Sequence, residues 1–509
     1  MKRALKIAAI VLGGVVALVL AIGVFLYNLP ADPFAPVYAE NCAVCHGEAL
    51  EGAAQGPALV SRTLASGDAV PQLVASIGQG FPERGMPGWA GTLSESQVRG
   101  LAILIAERRA HREMTDFKVD KPLAIPTGAV DSELVRFRIE TVASGIDPKP
   151  FSIAPLPDGS LLVTEKTKGI RIVSPDGTLS APIIGTPETS GFGVTVRGLD
   201  YRIGALLDVA PHPDYARNGW IYLVHTDLCA ECRNGGKLVP TTMNRLVRGR
   251  IAGGRWVDEE VIWSVPQAFY TPTPDLAAGG RLAFSRDGHV FVSVGIKGAG
   301  EQFGIQDLAT PYGKIHRVRD DGRIPEDNPF VARAGAMPSI WTYGHRSPQG
   351  LELDPQTGEL WGTEMGQRGG DEVNHLRPGR NYGWPLTSRG LKYDGTPVDY
   401  GKELGITLDL RTIEQPVVDL TPSPAVSSFV IYQGAEFPEW QGNFIVGSLK
   451  ATELYRFVID GDQLVHSETL LTDLARIRDV AVGPHGELYL LLEHASGARI
   501  VRLVPVRGA

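Results

Sequence analysis

The sequence predicts a multidomain protein with an N-terminal transmembrane helix, a small all-α domain and a large all-β domain in the form of a six-bladed propeller. An uncharged apolar run opens the chain, a Cys-Ala-Val-Cys-His motif follows it, and one turn pattern recurs through the remaining residues. The 509 residues exceed one ordinary domain, and 60 Gly with 37 Pro favour turn-rich β structure.

The charge of the chain argues against nucleic-acid binding. Its formal net charge is −8, and Lys and Arg are scattered through the sequence. Without a basic face, the protein has little to neutralise a phosphate backbone. We therefore expect no nucleic-acid partner.

The first segment, residues 1–29, predicts a membrane anchor. Basic residues precede an uncharged stretch from Ile7 to Tyr27, about 21 residues, which is enough for one helical span. A cleaved signal peptide, the main alternative, usually has a shorter apolar core and a small-x-small cleavage site. A buried core helix is a further alternative. An uncleaved anchor predicts a single-pass protein of the inner (cytoplasmic) membrane with soluble domains in the periplasm.

Residues 34–115 predict a cytochrome domain. In Cys42-Ala43-Val44-Cys45-His46 the two thiols are spaced to bond the vinyl groups of one haem, and the adjacent His can reach its iron. A disulfide or half of a zinc site is the alternative, but no second cysteine pair lies nearby to complete the zinc ligands. We expect haem c attached through Cys42 and Cys45, with His46 as an axial ligand.

The second iron ligand is expected on a later loop. Met86 lies in Gly85-Met86-Pro87-Gly88, whose composition favours an irregular loop, and Met114 is the competing candidate. Thr92-Leu-Ser-Glu95 predicts a capping box that opens a helix through about Arg109. Gly56-Pro57-Ala58-Leu59 resembles the segment of small class I cytochromes c whose Pro carbonyl orients the proximal His. The domain resembles that class over nearly its whole length.

A polar linker at 116–134 leads into a large domain, 135–509, that repeats one pattern. Each copy is an apolar strand, a turn rich in Pro, Asp and Gly, and a second apolar strand. The copies span 153–163, 209–224, 282–292, 351–361, 436–446 and 480–490. Six such hairpins without helical periodicity predict a six-bladed β-propeller. A β-sandwich is the alternative, but it would usually be shorter and would not repeat the same turn.

Four motifs stand out in the large domain. They are Gly344-His-Arg-Ser-Pro-Gln-Gly350, Gly370-Asp-Glu-Val-Asn374, Asn381-Tyr-Gly-Trp-Pro385 and Arg476-Ile-Arg-Asp-Val480. Together they resemble the signatures of the soluble glucose/sorbosone and aldose sugar dehydrogenases. The resemblance implies a six-bladed propeller that uses pyrroloquinoline quinone (PQQ) and calcium. By motif position it implies PQQ contacts at Arg346, Tyr393, Lys450, Arg476 and Arg478, and calcium contacts at Glu372 and Tyr382.

Residue chemistry agrees with part of this implication. PQQ carries three carboxylates, which Arg forks bind well. Arg476 and Arg478 stand two positions apart on a predicted strand, so their side chains share one face. For any single Arg, an exposed charge is the alternative. Asp371 and Glu372 form an acidic pair that suits a hard cation, with a salt-bridged loop as the alternative.

Several positions depart from the family pattern. The resemblance implies a catalytic His four residues before the Arg of a Gly-Arg-Leu motif, and Ala277 occupies that place. Ile203 and Ile296 stand where a Gln and an Asp are expected, and Ser347 where Asn is usual. An Ala cannot act as a base, so the catalytic group is unknown. Asp275 is a weak candidate for a substitute base, with an exposed loop carboxylate as its alternative identity.

A second cysteine pair lies in Cys229-Ala-Glu-Cys232-Arg233. Arg233 in place of His argues against a second haem. In an oxidising compartment a local disulfide is favoured over a metal site with His225, because only two thiols are available.

Two functions agree with these residues. The first is an oxidoreductase that oxidises a sugar or a related alcohol or aldehyde with PQQ, and passes electrons to its own haem and then to a downstream cytochrome or terminal oxidase. Tethering would raise the effective concentration of the haem acceptor. The second is an electron-transfer cytochrome subunit whose degenerate propeller is a docking or ligand-binding platform. The retained cationic positions favour the first function, and the lost polar positions favour the second.

Overall fold

A computed structural model describes residues 32–507, apart from 191–192, 197–198, 235, 298–300 and 408. The predicted membrane anchor, 1–29, lies outside the described residues. Within the described residues, no helix combines the length and the apolar composition needed to cross a membrane.

Residues 34–115 form a small helical domain. Its helices are α1 Ala35–Asn41, α2 Ala43–His46, α3 Val70–Gln79 and α4 Glu95–Arg109, with a 3₁₀ turn at Pro82–Arg84. Helix α3 buries Val70, Leu73 and Ile77, the spacing of one helical face. Helix α4 is instead buried on all sides from residue 100 to residue 107. A helix buried all round must be covered on both faces, and the propeller supplies the second cover, as described below.

Helix α4 ends at Arg109 as predicted, but its N-cap is Ser94 rather than Thr92. The Ser94 hydroxyl accepts a hydrogen bond from the Gln97 backbone N–H at 3.2 Å, and the Gln97 side chain accepts one from the Ser94 N–H at 2.9 Å. This reciprocal pair satisfies N–H groups that have no partner inside the helix. Both Thr92–Glu95 and Ser94–Gln97 have capping-box spacing, so the sequence pattern alone could not select between them.

The large domain is built almost entirely from β-strands. In chain order they are β1 Val130–Asp131, β2 Arg136–Ile146, β3 Pro150–Pro155, β4 Leu161–Glu165, β5 Gly169–Val173, β6 Gly193–Val196, β7 Leu199–Arg202, β8 Leu206–Pro211, β9 Ile221–Cys229, β10 Arg233–Asn234, β11 Lys237–Leu238, β12 Thr241–Ala252, β13 Arg255–Ser264, β14 Ala277–Phe284, β15 His289–Lys297, β16 Lys314–Arg319, β17 Ile340–Tyr343, β18 Pro348–Leu353, β19 Leu360–Glu364, β20 Glu372–His375, β21 Val418–Asp419, β22 Val426–Ile431, β23 Phe444–Ser448, β24 Leu454–Asp460, β25 Gln463–Leu471, β26 Arg476–Val482, β27 Leu488–Glu493 and β28 Ala498–Pro505. Short helical turns lie between them, at α5 Tyr215–Asn218, α6 Gly401–Leu404, Gln267–Phe269, Glu301–Gly304, Leu410–Thr412 and Pro438–Trp440.

In the described part of the chain these strands form six antiparallel blades and two small hairpins, β6–β7 and β10–β11. The blades are β3-β4-β5, β8-β9-β12-β13, β14-β15-β16-β17, β18-β19-β20-β21, β22-β23-β24-β25 and β26-β27-β28-β2-β1. The first strand of each blade contacts the first strand of the next, and β26 contacts β3, so the ring closes. Five of the six predicted hairpins are the first two strands of their blades, with Ile153 opposite Val163 and Val480 opposite Leu490. The prediction for 436–446 is wrong in its first half: this segment begins in the connection after β22, at the 3₁₀ turn Pro438–Trp440, and ends in β23. The six-bladed propeller prediction is confirmed.

The last blade joins both ends of the domain. Strand β2, from the start of the domain, pairs with β28, its last strand, so that Phe137 faces Pro505 and Thr141 faces Val501. The Phe137 ring also packs edge-on against Trp440 of the neighbouring blade, with ring centroids 5.8 Å apart. A continuous hydrogen-bond ladder thus holds the ring closed.

Buried carboxylates join neighbouring blades near the ring axis. Asp208 accepts a hydrogen bond from the Leu282 N–H at 2.9 Å, and Asp479 accepts one from the Ile153 N–H at 2.8 Å. Arg281 donates to Asp479 at 2.8 Å. Buried charges are tolerated when backbone donors and an Arg compensate them, so this network belongs to the architecture of the ring.

Candidate functional site

The haem-attachment motif lies at the turn between α1 and α2, where Cys42 separates the two helices. His46 is buried, and its Nδ1 lies 2.8 Å from the carbonyl oxygen of Pro57. Because a carbonyl can only accept, Nδ1 carries the proton, and Nε2 is left with the lone pair that an iron ligand needs.

The segment around Pro57 is shaped for this contact. A Cβ on Gly56 would lie 2.7 Å from the carbonyl oxygen of Cys45, so only Gly lets the two segments approach this closely. Cys42 and Cys45 are both partly buried free thiols. Two thiols and an oriented imidazole are the donor set of a covalently attached haem, so the residues fit haem c.

Met86 is presented on a tight loop. Its backbone exchanges two hydrogen bonds with that of Phe81, at 2.9 and 3.1 Å, around the 3₁₀ turn Pro82–Arg84. Met114, the competing candidate, is buried beyond the end of α4. Met86 stays the predicted second iron ligand.

Arg346 is the first predicted PQQ contact. Its Nη1 donates to the carbonyl oxygens of Met365 and Gly366 at 3.0 and 2.6 Å, and its guanidinium lies 5.5 Å from the centroid of the Trp384 ring. Its Nε is buried and, among the described residues, has no hydrogen-bond partner. One face of this Arg is therefore held by the protein while a donor remains unmatched.

Lys450 follows strand β23 and is only 8% exposed. Burial lowers its pKa, and the charges of Glu107 and Asp371 oppose this shift. The same Asp371 lies close enough to Arg346 for the guanidinium to act on its pKa, which burial raises. Arg346 and Lys450 are therefore both within electrostatic range of Asp371.

Arg476 and Arg478 share one face of β26, as predicted, but an acid already lies between them. Glu493, on β27, accepts from Arg476 Nε at 2.9 Å and from Arg478 Nε at 2.8 Å. Burial alone would raise the pKa of Glu493, but the charges of Arg478 and Arg476 outweigh it and hold the pKa far below its usual range. Sequence reasoning missed Glu493, although its position opposite Arg476 follows from the predicted hairpin.

Tyr393 and the interdomain segment complete this group. Burial raises the pKa of Tyr201, and the nearby Tyr393 phenol adds to the shift while Arg476 opposes it. The carbonyl oxygen of Phe117 accepts a hydrogen bond from Arg476 Nη1 at 2.6 Å, and the neighbouring Asp116 lies close to Lys450. The predicted PQQ contacts thus form two groups, and the segment that joins the two domains contacts Arg476 of one and lies near Lys450 of the other.

The predicted calcium contacts fit a cation only in part. Burial and the neighbouring Glu364 carboxylate raise the pKa of Glu372 to about 8, a situation that a bound cation would relieve. The Tyr382 hydroxyl, however, donates to the His375 carbonyl and accepts from the Arg377 N–H at 2.9 Å. The Tyr382 hydroxyl is therefore already engaged in two hydrogen bonds within the protein. Across the described ranges, no three Asp, Glu, His or Cys side chains are grouped as metal ligands.

The position of the expected catalytic His is apolar. Ala277 and Ile296 pack in one cluster with Ile305, Trp384 and Val398. Ile203 is also fully buried, at 1% exposure. Two positions where the resemblance implies polar side chains, Ala277 and Ile296, therefore lie in the same apolar cluster.

Asp275 is not an exposed loop carboxylate, so that expectation is wrong. Its Oδ1 lies 2.8 Å from the Nζ of Lys297, and the two side chains are 5% and 0% exposed. Its Oδ2 accepts a hydrogen bond from Thr226 at 2.6 Å. Asp275 stands next to the strand pair in which Ala277 faces Lys297, and this cross-strand placement buries it. A carboxylate already paired with an ammonium is poorly suited to accept a substrate proton.

The disulfide prediction is confirmed. Cys229 and Cys232 are bonded to each other, and the Gln267 side-chain amide lies 3.2 and 2.9 Å from their sulfur atoms. With both thiols consumed, the alternative metal site has no ligands but His225. Burial lowers the pKa of His225 to about 4, so it is a neutral residue of the sheet.

Comparison with known families divides the chain in the same way. Residues 147–502 match the family described as Glucose / Sorbosone dehydrogenase, and residues 30–105 match the family described as Cytochrome C oxidase, cbb3-type, subunit III.

Individual relatives agree with the larger match. The aldose sugar dehydrogenase YliI of Escherichia coli is 33% identical over 383 residues, which cover 74% of this chain and 95% of that enzyme. The crystal structure of the soluble E. coli aldose sugar dehydrogenase in its apo form superposes with a TM-score of 0.63 at 31% identity, covering 73% of this chain and 100% of that one. The PQQ-bound aldose sugar dehydrogenase of Streptomyces coelicolor gives 0.53 at 25% identity, with 75% and 100% coverage.

Proposed function

The chain belongs to the glucose/sorbosone dehydrogenase family and carries a cytochrome c domain before its propeller, and on this premise we propose that it is a membrane-anchored periplasmic oxidoreductase. Its substrate would be a sugar or a related alcohol or aldehyde, its first electron acceptor PQQ, and its second acceptor its own haem c.

The observation that supports PQQ most directly is the pair of unmatched cationic donors. Arg346 Nε is buried without a hydrogen-bond partner among the described residues, and the Lys450 side chain, 8% exposed, donates no hydrogen bond to any of them. A buried donor without a partner costs about 1–3 kcal/mol, and more when it is charged, so such a site favours an anionic ligand. PQQ is a planar tricarboxylate with quinone oxygens, so it can supply hydrogen-bond acceptors to these donors.

Electron balance requires a further partner. Oxidation of one hydroxyl releases two electrons and two protons, and PQQ, when bound, accepts that pair. A haem accepts one electron at a time. An external one-electron acceptor, a downstream cytochrome or a terminal oxidase, must therefore oxidise the haem between two transfers. Arg346, Lys450, Arg476, Arg478 and Tyr393 would hold the quinone, and Glu372 would help to bind calcium.

The location is part of the proposal. Residues 1–29 would anchor the chain in the inner membrane, with both domains in the periplasm. Covalent haem attachment takes place outside the cytoplasm, and the Cys229–Cys232 disulfide persists in an oxidising compartment. Both features agree with this placement.

A specific observation favours a second candidate, an electron-transfer subunit with an inactive propeller. The apolar cluster of Ala277 and Ile296 offers no proton acceptor where the resemblance implies one. Such a propeller would still bind an anionic ligand but would not oxidise a sugar.

PQQ binding to the purified full chain tests the proposal. Titration in the presence and absence of calcium, followed by the PQQ absorption spectrum, is expected to show one site per chain. Added aldose should then reduce the haem. Binding without haem reduction by any aldose would favour the second candidate, and no binding would reject PQQ altogether.

A further inference from the structure

Arg368, a propeller residue, is completely buried in the contact between the two domains. Its guanidinium donates to Asp32 at 2.8 and 2.7 Å and to Glu107 of helix α4 at 3.2 and 2.8 Å. Burial alone would lower the pKa of Arg368, but these two carboxylates outweigh it and raise the pKa, so the cation is retained. Two bidentate pairs on one guanidinium fix its orientation as well as its charge.

The loop that carries Arg368 also reaches the proposed PQQ site. Two residues earlier, the carbonyl oxygen of Gly366 accepts from Arg346 at 2.6 Å. A short connection of backbone therefore separates the residue that touches the cytochrome domain from one that contacts a predicted PQQ ligand.

A second segment repeats this arrangement. Leu391 exchanges two backbone hydrogen bonds with Arg368, at 3.1 and 2.9 Å, and its side chain is buried in the apolar core of the cytochrome domain. Two residues later lies Tyr393, another predicted PQQ contact. Both members of the Arg368–Leu391 pair thus contact the cytochrome domain. Leu391 lies two residues from a predicted PQQ contact, and Arg368 lies two residues from a backbone partner of another.

Two further contacts belong to the interface between the domains, in addition to those of Arg368 and Leu391. Arg112, beyond the end of α4, bonds the Tyr455 hydroxyl at 2.8 Å and also pairs with Glu453. On the other side, a Cβ on Gly395 would lie 2.9 Å from the ring of Phe34. The two domains are therefore packed against each other and are not joined by a flexible linker alone.

We propose that Arg368 is a positioning residue, which holds the cytochrome domain in one orientation against the loops that form the PQQ site and thereby sets the rate of electron transfer between the two domains. The electron-transfer part rests on the proposed function, whereas the docking part does not. Small displacements of reacting groups cost about 10²-fold in rate, so loss of this anchor should have a large effect.

The test compares the holoprotein with Arg368→Gln and with the double variant Arg368→Met, Glu107→Met. The single change leaves Glu107 buried without its cation and could unfold the cytochrome domain. The double change removes the two most deeply buried charges with little change in volume and leaves Asp32, whose side chain is 18% exposed and can be solvated. Arg411→Gln is the matched control, because Arg411 is exposed and its ion pair is with the neighbouring Asp409. Three quantities are measured: hydrogen exchange in residues 388–396, sugar-dependent haem reduction, and sugar-dependent reduction of a soluble dye that bypasses the haem.

In the folded variants we expect exchange in 388–396 to rise about tenfold or more and haem reduction to fall about tenfold or more, with dye reduction within about twofold of wild type. The control should match wild type throughout. Unchanged exchange and unchanged haem reduction in the double variant would overturn the proposal. If no sugar reduces either acceptor in wild type, the proposed function fails, and the exchange measurement alone decides whether Arg368 docks the domains.

Discussion

The Nζ of Lys297 lies 2.8 Å from a carboxylate oxygen of Asp275 inside the propeller, and the two side chains are 0% and 5% exposed. Asp275 is therefore not the surface residue that the sequence had suggested. It also gives the residue a structural role that can be separated from a catalytic one.

Asp275→Asn should destabilise the protein without specifically removing activity. Loss of one partner of a buried ion pair costs about 3–5 kcal/mol, because the other charge stays buried. Chemical denaturation should show a loss of at least about 3 kcal/mol in the free energy of unfolding, and adding Lys297→Met should recover most of it. If Asp275→Asn keeps full stability but abolishes sugar oxidation, Asp275 is the base after all.

The fold could be predicted because its signals are local. The six hairpins contain their own turn residues, and each apolar strand follows within a few positions, so the repeat is visible in the sequence. The His46 environment was predictable for the same reason, since Pro57 lies only eleven positions from its partner. Such contacts need no knowledge of how distant segments meet.

The interdomain and cross-strand pairs could not be predicted in this way. Arg368 and Glu107 are 261 positions apart, and nothing in either local sequence marks them as partners. Asp275 was expected to be an exposed loop carboxylate, whereas the pairing of Ala277 with Lys297 brings an ammonium to it and Thr226 of β9 covers its other oxygen. The motif positions predicted that Arg476 and Arg478 share one face of a strand. They gave no sign that Glu493 lies between the two guanidinium groups and neutralises them.

Lys450→Met should weaken PQQ binding without loss of stability. The Lys450 side chain is only 8% exposed and donates no hydrogen bond to a described residue, so an apolar side chain of similar length removes a desolvation cost from the free protein. A charge-assisted hydrogen bond contributes about 1.5–3 kcal/mol, which corresponds to a loss of about 10- to 150-fold in affinity. Isothermal titration with PQQ measures this, with the exposed Lys402→Met as the control. Equal affinity in Lys450→Met would show that the proposed site lies elsewhere.

Met86→Ala should alter the haem while Met114→Ala should not. Thioether ligation favours the reduced state, so its loss should lower the reduction potential and let external ligands bind the iron. Potentiometric titration and the binding of imidazole or cyanide measure both effects. Haem should remain covalently bound in either variant after acid-acetone extraction. The reverse pattern, with Met114→Ala changing the spectrum, would assign the ligand to Met114.

Glu352→Gln should stabilise the protein at alkaline pH. Burial and the carboxylates of Asp208 and Asp479 raise the pKa of Glu352 from 4.5 to about 8. A carboxyl with a raised pKa in the folded state opposes folding as it ionises, so its cost grows as the pH rises from about 4.5 to about 8. The difference in Tm between variant and wild type should therefore be small at pH 4.5 and positive at pH 8.5. The exposed Glu439→Gln should show no such dependence, and a flat difference for Glu352→Gln would contradict this assignment.

The apolar site at Ala277 predicts slow chemistry in the wild type. A positioned general base contributes about 10²–10⁴-fold to a rate, and Ala277 supplies none. If PQQ is held in its usual orientation by the retained cations, Ala277→His with Ile203→Gln should accelerate sugar oxidation. The inserted imidazole must displace part of the cluster around Trp384, so thermal unfolding should be recorded for the variant beside its activity.

Anaerobic reduction of the haem by aldose, followed in the full chain loaded with PQQ and calcium, tests the central claim most directly. We expect the reduced α-band to grow only when both PQQ and sugar are present, slowly in wild type and faster in Ala277→His, Ile203→Gln. Because donor and acceptor belong to one chain, the observed rate should not depend on protein concentration. Absence of the band with every aldose in both proteins, despite bound PQQ, would contradict the claim, and a rate proportional to protein concentration would contradict transfer within the chain.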